Sequence, residues 1–129
     1  MAAKTVSDIM TSPVVTISGD KSLVDAIKLL LRFHISGLPV VDGEENIVGI
    51  ITELDVLNFA MSGSAAQTKV SEVMTSELST FPPDAPIEQA MNFFAAERIR
   101  RVPVVREGKV VGIVSRRDVM REILSMYTA

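Results

Sequence analysis

The sequence predicts an α/β (α+β) fold: two tandem β-α-β-β-α repeats packed face to face around a pseudo-twofold axis. The first observation behind this is internal register. Val6-Ser7-Asp8-Ile9-Met10-Thr11-Ser12 returns 64 positions later as Val70-Ser71-Glu72-Val73-Met74-Thr75-Ser76. The same shift carries Thr16 onto Thr80, Asp20 onto Asp84, Ala26 onto Ala90, Ile35 onto Ile99 and Pro39-Val40-Val41 onto Pro103-Val104-Val105. One residue is then lost in a turn, and Val48-Gly49-Ile50 and Asp55-Val56 fall on Val111-Gly112-Ile113 and Asp118-Val119. The second observation is that both copies show the same alternation of helical and extended patterning. The third is size: a unit of about 50 residues is marginal alone, so the two copies must share a core.

Each copy opens with a short extended segment, Val14–Ile17 and Leu78–Phe81. Asp20-Lys21-Ser22 and Asp84-Ala85-Pro86 follow as helix starts, a capping acid and, in the second copy, a proline near the first turn. The helix places Leu23, Ala26, Ile27 and Leu30 on one face, and its copy Ile87, Ala90, Met91 and Phe94. Two β-branched runs come next, Leu38–Val41 with Ile47–Ile51 across Asp42-Gly43-Glu44-Glu45, and Val102–Val105 with Val110–Val114 across Glu107-Gly108. These are hairpin signatures. A second helix begins near Leu54 and near Arg117. The organisation expected is repeat 1 over 6–57, a helix end and Gly/Ser linker over 58–69, and repeat 2 over 70–124.

Composition narrows the function classes. With 47% hydrophobic and 22% charged residues, the chain has the balance of a soluble globular protein with a sizeable core. A net charge of −3 argues against a general nucleic-acid binder. The absence of cysteine excludes disulfides, cysteine-bearing zinc sites and thiol nucleophiles. The first residues lack the apolar core of a signal peptide, and no apolar run is long enough to span a bilayer, so the expected location is cytoplasmic with no membrane partner. No phosphate-binding glycine loop, dinucleotide fingerprint, zinc-protease helix or serine with a histidine base is present, so neither an enzyme nor a metal site is expected. His34, the only histidine, reads as structural or exposed. Met10, Met74, Met91, Met120 and Met126 read as core filling.

Three motifs, in order and twice over, resemble the CBS domain family, named after cystathionine β-synthase. They are the opening Val6-Ser7-Asp8-Ile9-Met10-Thr11-Ser12-Pro13, the step into Pro39-Val40-Val41, and Gly49-Ile50-Ile51-Thr52-Glu53-Leu54-Asp55, echoed by Gly112-Ile113-Val114-Ser115-Arg116-Arg117-Asp118. The resemblance covers about Val6 to Met120, as in a stand-alone CBS domain-containing protein. It implies a regulatory, energy-sensing module that binds an adenosine nucleotide in the cleft between repeats and signals to a regulated partner protein. AMP, ADP and ATP stand first among the implied ligands, with S-adenosylmethionine and NAD also known in the family. It also implies a homodimer, a four-repeat disc, in keeping with apolar helical faces left over after intrachain packing. No cofactor is expected.

The candidate ligand residues follow. In Thr52-x-x-Asp55 and Ser115-x-x-Asp118 a hydroxyl precedes a carboxylate by three residues at a strand-to-helix junction. The carboxylate can accept from both ribose hydroxyls, while the hydroxyl and free backbone N–H groups can hold a phosphate. The same spacing is a capping box, and the two roles are compatible. In similar proteins the segments Ile35-Ser36-Gly37-Leu38 and Ile99-Arg100-Arg101-Val102 pass beside the nucleobase; a surface turn fits them as well. Small Ser36 and Gly37 leave room for a base, whereas Arg100 and Arg101 offer guanidinium forks to phosphates. The resemblance implies sites of mixed origin. One takes Ser115 and Asp118 with Val14, Val15, Thr16 and Ile35–Leu38; the other takes Thr52 and Asp55 with Leu78, Ser79, Thr80 and Ile99–Val102. Arg98, Arg100, Arg101, Arg116 and Arg117 cluster in repeat 2 and make the sites unequal. The alternative reading of that cluster is a patch for nucleic acid or an acidic partner, in a structural adaptor that senses no nucleotide.

Overall fold

The computed structural model describes residues 4–60 and 62–128. In chain order its elements are α1 (Val6–Ile9), β1 (Ile17–Ser18), α2 (Leu23–Phe33), β2 (Gly37–Val41), β3 (Ile47–Thr52), α3 (Glu53–Ala60), α4 (Val70–Val73), α5 (Ile87–Ala96), β4 (Arg101–Arg106), β5 (Lys109–Ser115) and α6 (Arg116–Tyr127). Two compact units result. Val15–Leu78 forms the first-repeat unit; the second-repeat unit joins the stretch ending at Val14 to the stretch beginning at Ser79. The opening motif of each repeat is therefore built into the unit of the other.

In the first-repeat unit β1 pairs parallel with β2, and β2 pairs antiparallel with β3. The helix face expected from the spacing is the buried one: Leu23, Ala26 and Leu30 of α2 pack with Ile17, Leu38, Val40, Ile51 and Val70. Burying each of the leucine, isoleucine and valine side chains contributes about 1.5–3 kcal/mol. Helix α2 starts at Ser22, whose Oγ accepts from the Asp25 N–H at 3.2 Å while Asp25 Oδ2 accepts from the Ser22 N–H at 3.3 Å. It ends at His34, whose φ of 53° is left-handed, a conformation His tolerates better than most residues. The sole histidine thus has a structural role. The segment around α4 is stitched on through its backbone, Val70 N–H to the Lys21 carbonyl at 2.8 Å and Ser71 N–H to the Gly19 carbonyl at 3.0 Å.

The second-repeat unit repeats this design with the other copy of the opening motif. Val6 N–H donates to the Ala85 carbonyl at 2.8 Å and Ser7 N–H to the Pro83 carbonyl at 3.0 Å. Its core gathers Val6, Phe81, Ala90, Phe94, Val102, Val104, Val114 and Val119. The rings of Phe81, Phe93 and Phe94 meet edge-on, with centroids 5.5–6.2 Å apart. The exchange also explains the glycine in each Val-Gly-Ile run. Strand residues Ile50 and Ile113 form antiparallel bridges with Thr75 and Thr11, which brings Met74 over Gly49 and Met10 over Gly112. A Cβ on Gly49 would lie 3.0 Å from Met74 Cγ and from the Thr75 carbonyl oxygen.

Four expectations change in detail. The first extended segment is a strand at Ile17–Ser18 rather than from Val14, because pairing begins only where β1 meets Val40. Its copy at Leu78–Phe81 contracts to one parallel bridge, Phe81 to Val104, at the equivalent register. Asp20 and Asp84 do not cap the helices: Ser22 and Pro86 occupy the N-cap positions, and Pro86 makes no side-chain cap. Met10, Met74 and Met91 pack against the two cores, but Met120 and Met126 lie 63% and 59% exposed on the outer side of α6. The hairpins fall within a residue or two of the expected runs, with Glu107 and Gly108 both at positive φ in the tight turn.

Candidate functional site

Each repeat ends its hairpin at a strand-to-helix junction, and both junctions are built alike. In the first-repeat unit Thr52 closes β3 and Asp55 sits in the first turn of α3. The Thr52 N–H and Oγ1–H donate to Asp55 Oδ2 at 2.9 and 3.0 Å, and the Asp55 N–H donates back to Thr52 Oγ1 at 3.2 Å. In the second-repeat unit the Ser115 N–H and Oγ–H donate to Asp118 Oδ2 at 2.8 and 2.9 Å, and the Asp118 N–H returns to Ser115 Oγ at 3.2 Å. The capping-box geometry is thus present twice, and it spends one carboxylate oxygen on the cap while leaving Oδ1 for something else. That second oxygen is where the copies part. Asp55 Oδ1 accepts from Thr75 Oγ1 at 3.3 Å, whereas Asp118 Oδ1 accepts from Arg121 Nη1 at 2.8 Å.

The pre-strand segments are held against these junctions by pairing. Gly37 lies opposite Thr52 and Arg101 opposite Ser115. The Glu53 N–H donates to the Ser36 carbonyl at 3.0 Å, and the Arg116 N–H to the Arg100 carbonyl at 2.9 Å. The structure therefore brings together Ile35, Ser36, Gly37, Leu38, Thr52 and Asp55 in one unit, and Ile99, Arg100, Arg101, Val102, Ser115, Arg116 and Asp118 in the other. Leu38 and Val102 are fully buried core residues and offer no side-chain surface. Val15 and Thr16 precede β1 in the first-repeat unit, which also holds Leu78. Val14, Ser79 and Thr80 belong to the second-repeat unit, the last two exposed just ahead of the Phe81 bridge.

Arg116 does not extend freely: its Nη2 donates to the Glu97 carbonyl at 2.6 Å at the end of α5, and its Nε is buried with no partner among the described residues. Thr75 and Arg121 were not among the expected site residues. The repeated Met-Thr pair pointed toward Thr75, and a cation three residues beyond Asp118 pointed toward Arg121. Among the described residues no group of His, Asp and Glu is arranged to hold a metal ion, and no helix is long and apolar enough to cross a membrane.

Known proteins carry the same architecture. The CBS domain model matches residues 6–62 and 70–125. The CBS domain-containing protein YhcV of Bacillus subtilis is 34% identical over 96% of this chain and 89% of its own length. The inosine-5′-monophosphate dehydrogenase of Methanocaldococcus jannaschii is 35% identical over 93% of this chain, which spans only 24% of that enzyme. Among solved structures, the CBS domain pair of protein MJ0100, in complex with 5′-methylthioadenosine and S-adenosyl-L-methionine, superposes with a TM-score of 0.85 at 30% identity, covering 97% of this chain and 99% of that one. The structure of CBSX2 in complex with AMP gives a TM-score of 0.86 at 28% identity, over 96% and 98% of the two chains. With two matched repeats spanning nearly its whole length, the chain belongs to the CBS domain family.

Proposed function

We propose that the protein is a regulatory module that binds an adenosine-containing ligand, AMP, ADP or ATP first among them, and passes its occupancy to a partner protein. The observation that carries this is the twice-built junction, in which an acidic side chain is fixed through Oδ2 and keeps Oδ1 for a donor from outside the cap. A ribose supplies such donors, and the complexes of MJ0100 and CBSX2 contain adenosine compounds. The role is regulatory rather than catalytic. A second copy of the chain is the proposed neighbour of the exposed Leu54, Leu57, Met120 and Leu124 on α3 and α6, giving a homodimer that light scattering reads directly. The adaptor reading draws no support from Arg116, which is turned onto its own unit.

Titration calorimetry on Asp55→Asn and Asp118→Asn tests the ligand reading. Asparagine keeps the size and most of the capping ability but removes the charged acceptor. Hydrogen bonds to a charged group are worth about 1.5–3 kcal/mol, so adenosine-nucleotide affinity at the altered junction falls by about tenfold to a hundredfold. If both variants bind as the unaltered protein does, the carboxylates are caps and nothing more.

A further inference from the structure

The two junctions share a backbone and differ in charge. Residues 53–58 hold two carboxylates, Glu53 and Asp55, and no cation, whereas 116–121 hold three guanidiniums and one carboxylate. Three residues beyond the junction carboxylate stands Asn58 in one copy and Arg121 in the other. The Asp118 side chain is 9% exposed and that of Arg121 is 69% exposed, so a nearly buried carboxylate is met by a guanidinium reaching in from solvent. Since Oδ2 is committed to Ser115, Arg121 sits on the oxygen that a ribose hydroxyl would use. At Asp55 the corresponding occupant is a neutral hydroxyl, that of Thr75 at 3.3 Å.

We infer that Arg121 is a specificity-determining residue, which makes the second junction select adenosine ligands that carry a phosphate over those that do not. The inference rests on the reading that the junction carboxylates receive a ribose. A neutral nucleoside must share Oδ1 with a cation and offers that cation only neutral hydroxyl acceptors. A phosphorylated ligand offers the guanidinium a new charged acceptor, and the planar fork suits phosphate as well as it suits a carboxylate. Arg100 and Arg117, both exposed in the same unit, add to the field that favours an anion there. The first junction has the opposite bias. Its competing donor is weakly held, and the Glu53 and Asp55 charges disfavour a nearby phosphate.

The test is calorimetric titration of adenosine and of AMP in an Asp55→Asn background, which reports the second junction. There Arg121→Gln lowers AMP affinity by about tenfold and raises adenosine affinity, while Arg121→Lys retains most of the AMP preference. Conversely, Asn58→Arg in an Asp118→Asn background moves the first junction toward AMP. A purely structural role for Arg121 weakens both ligands by the same factor, and that result, or an unchanged preference, overturns the inference. Failure of the unaltered protein to bind either compound is a different outcome: it removes the ribose reading and the inference with it. Arg121 is mostly exposed, so its variants should fold, and their melting curves check this.

Discussion

Helices α2 and α5 occupy the same place in the two repeats, yet they start differently. α2 is capped by its own sequence, through Ser22 and Asp25. α5 starts at Pro86, which has no donor or acceptor in its side chain, and its Gln89 stands where Asp25 stands in the other copy. What the two helices share comes from the exchanged opening segments: the Thr68 carbonyl receives the Leu23 N–H at 3.0 Å, and the Lys4 carbonyl receives the Ile87 N–H at 3.4 Å. The cores diverge in a similar way. The first-repeat unit has a third strand and an aliphatic core around Ile17; the second has Phe81 at that position, a single bridge in place of the strand, and a cluster of three rings. Backbone bonds recur residue for residue, while side-chain chemistry drifts. The scaffold is thus held by contacts that do not depend on side-chain identity, which leaves the junction side chains free to specialise.

The largest expected effect comes from the position where the cores differ most. Phe81→Ala should cost about 3–5 kcal/mol and Ile17→Ala about 2–5 kcal/mol, with Phe81 the larger because its loss also breaks two edge-on ring contacts. Urea unfolding of both variants measures this. If Ile17→Ala is the more damaging, the rings do not substitute for the missing strand.

An intermediate effect is expected where the units are alike. Gly49→Ala and Gly112→Ala should each cost about 1–3 kcal/mol, because the added methyl meets Met74 or Met10. Pairing Gly112→Ala with Met10→Ala should recover part of that loss, a coupling that a double-mutant cycle reads. Costs that differ sharply between the two glycines would break the claim of a common scaffold. The smallest effect separates the helix starts. Ser22→Ala should cost about 1 kcal/mol by thermal unfolding, and Gln89→Ala, exposed and outside any cap, less than about 0.5 kcal/mol.

Much of this was legible in the residues. The repeat register, the buried faces of α2 and α5, and both hairpins follow from hydrophobic period and turn chemistry, which act locally. The exchange of opening segments was not legible for a simple reason. The two copies of that motif are nearly interchangeable, so docking on its own repeat or on the other satisfies the same pattern. Helices α1 and α4, at four residues each, are too short for any period to show. Around the start of α2 three polar residues compete for the cap; Asp20 was the expected capping acid, and the unused spacing Ser22-x-x-Asp25 marked the cap that forms. At the junctions, the capping spacing of Thr52 with Asp55 and of Ser115 with Asp118 was visible in the sequence, while their proposed ligand role leaned on the family resemblance. Thr75 was not, since it reaches Asp55 from 20 residues away, and Arg121 was hidden among arginines whose places in the fold differ.

The exchange of Val6–Thr11 has a consequence for the order in which the molecule is made. As the chain leaves the ribosome, everything needed for the unit Val15–Leu78 is present once Leu78 has emerged, and domains generally fold as they appear. The earlier residues cannot do the same. Val6, fully buried in the finished protein, finds the Ala85 carbonyl only after the second repeat begins, and Thr11 must wait for Ile113. Residues 6–11 are thus made before the first-repeat unit and secured after it, and this partly apolar stretch stays undocked until residues 85–113 have emerged. Anything that lengthens that interval, such as slow codons between 80 and 113, leaves Val6, Ile9 and Met10 open to wrong contacts for as long as it lasts.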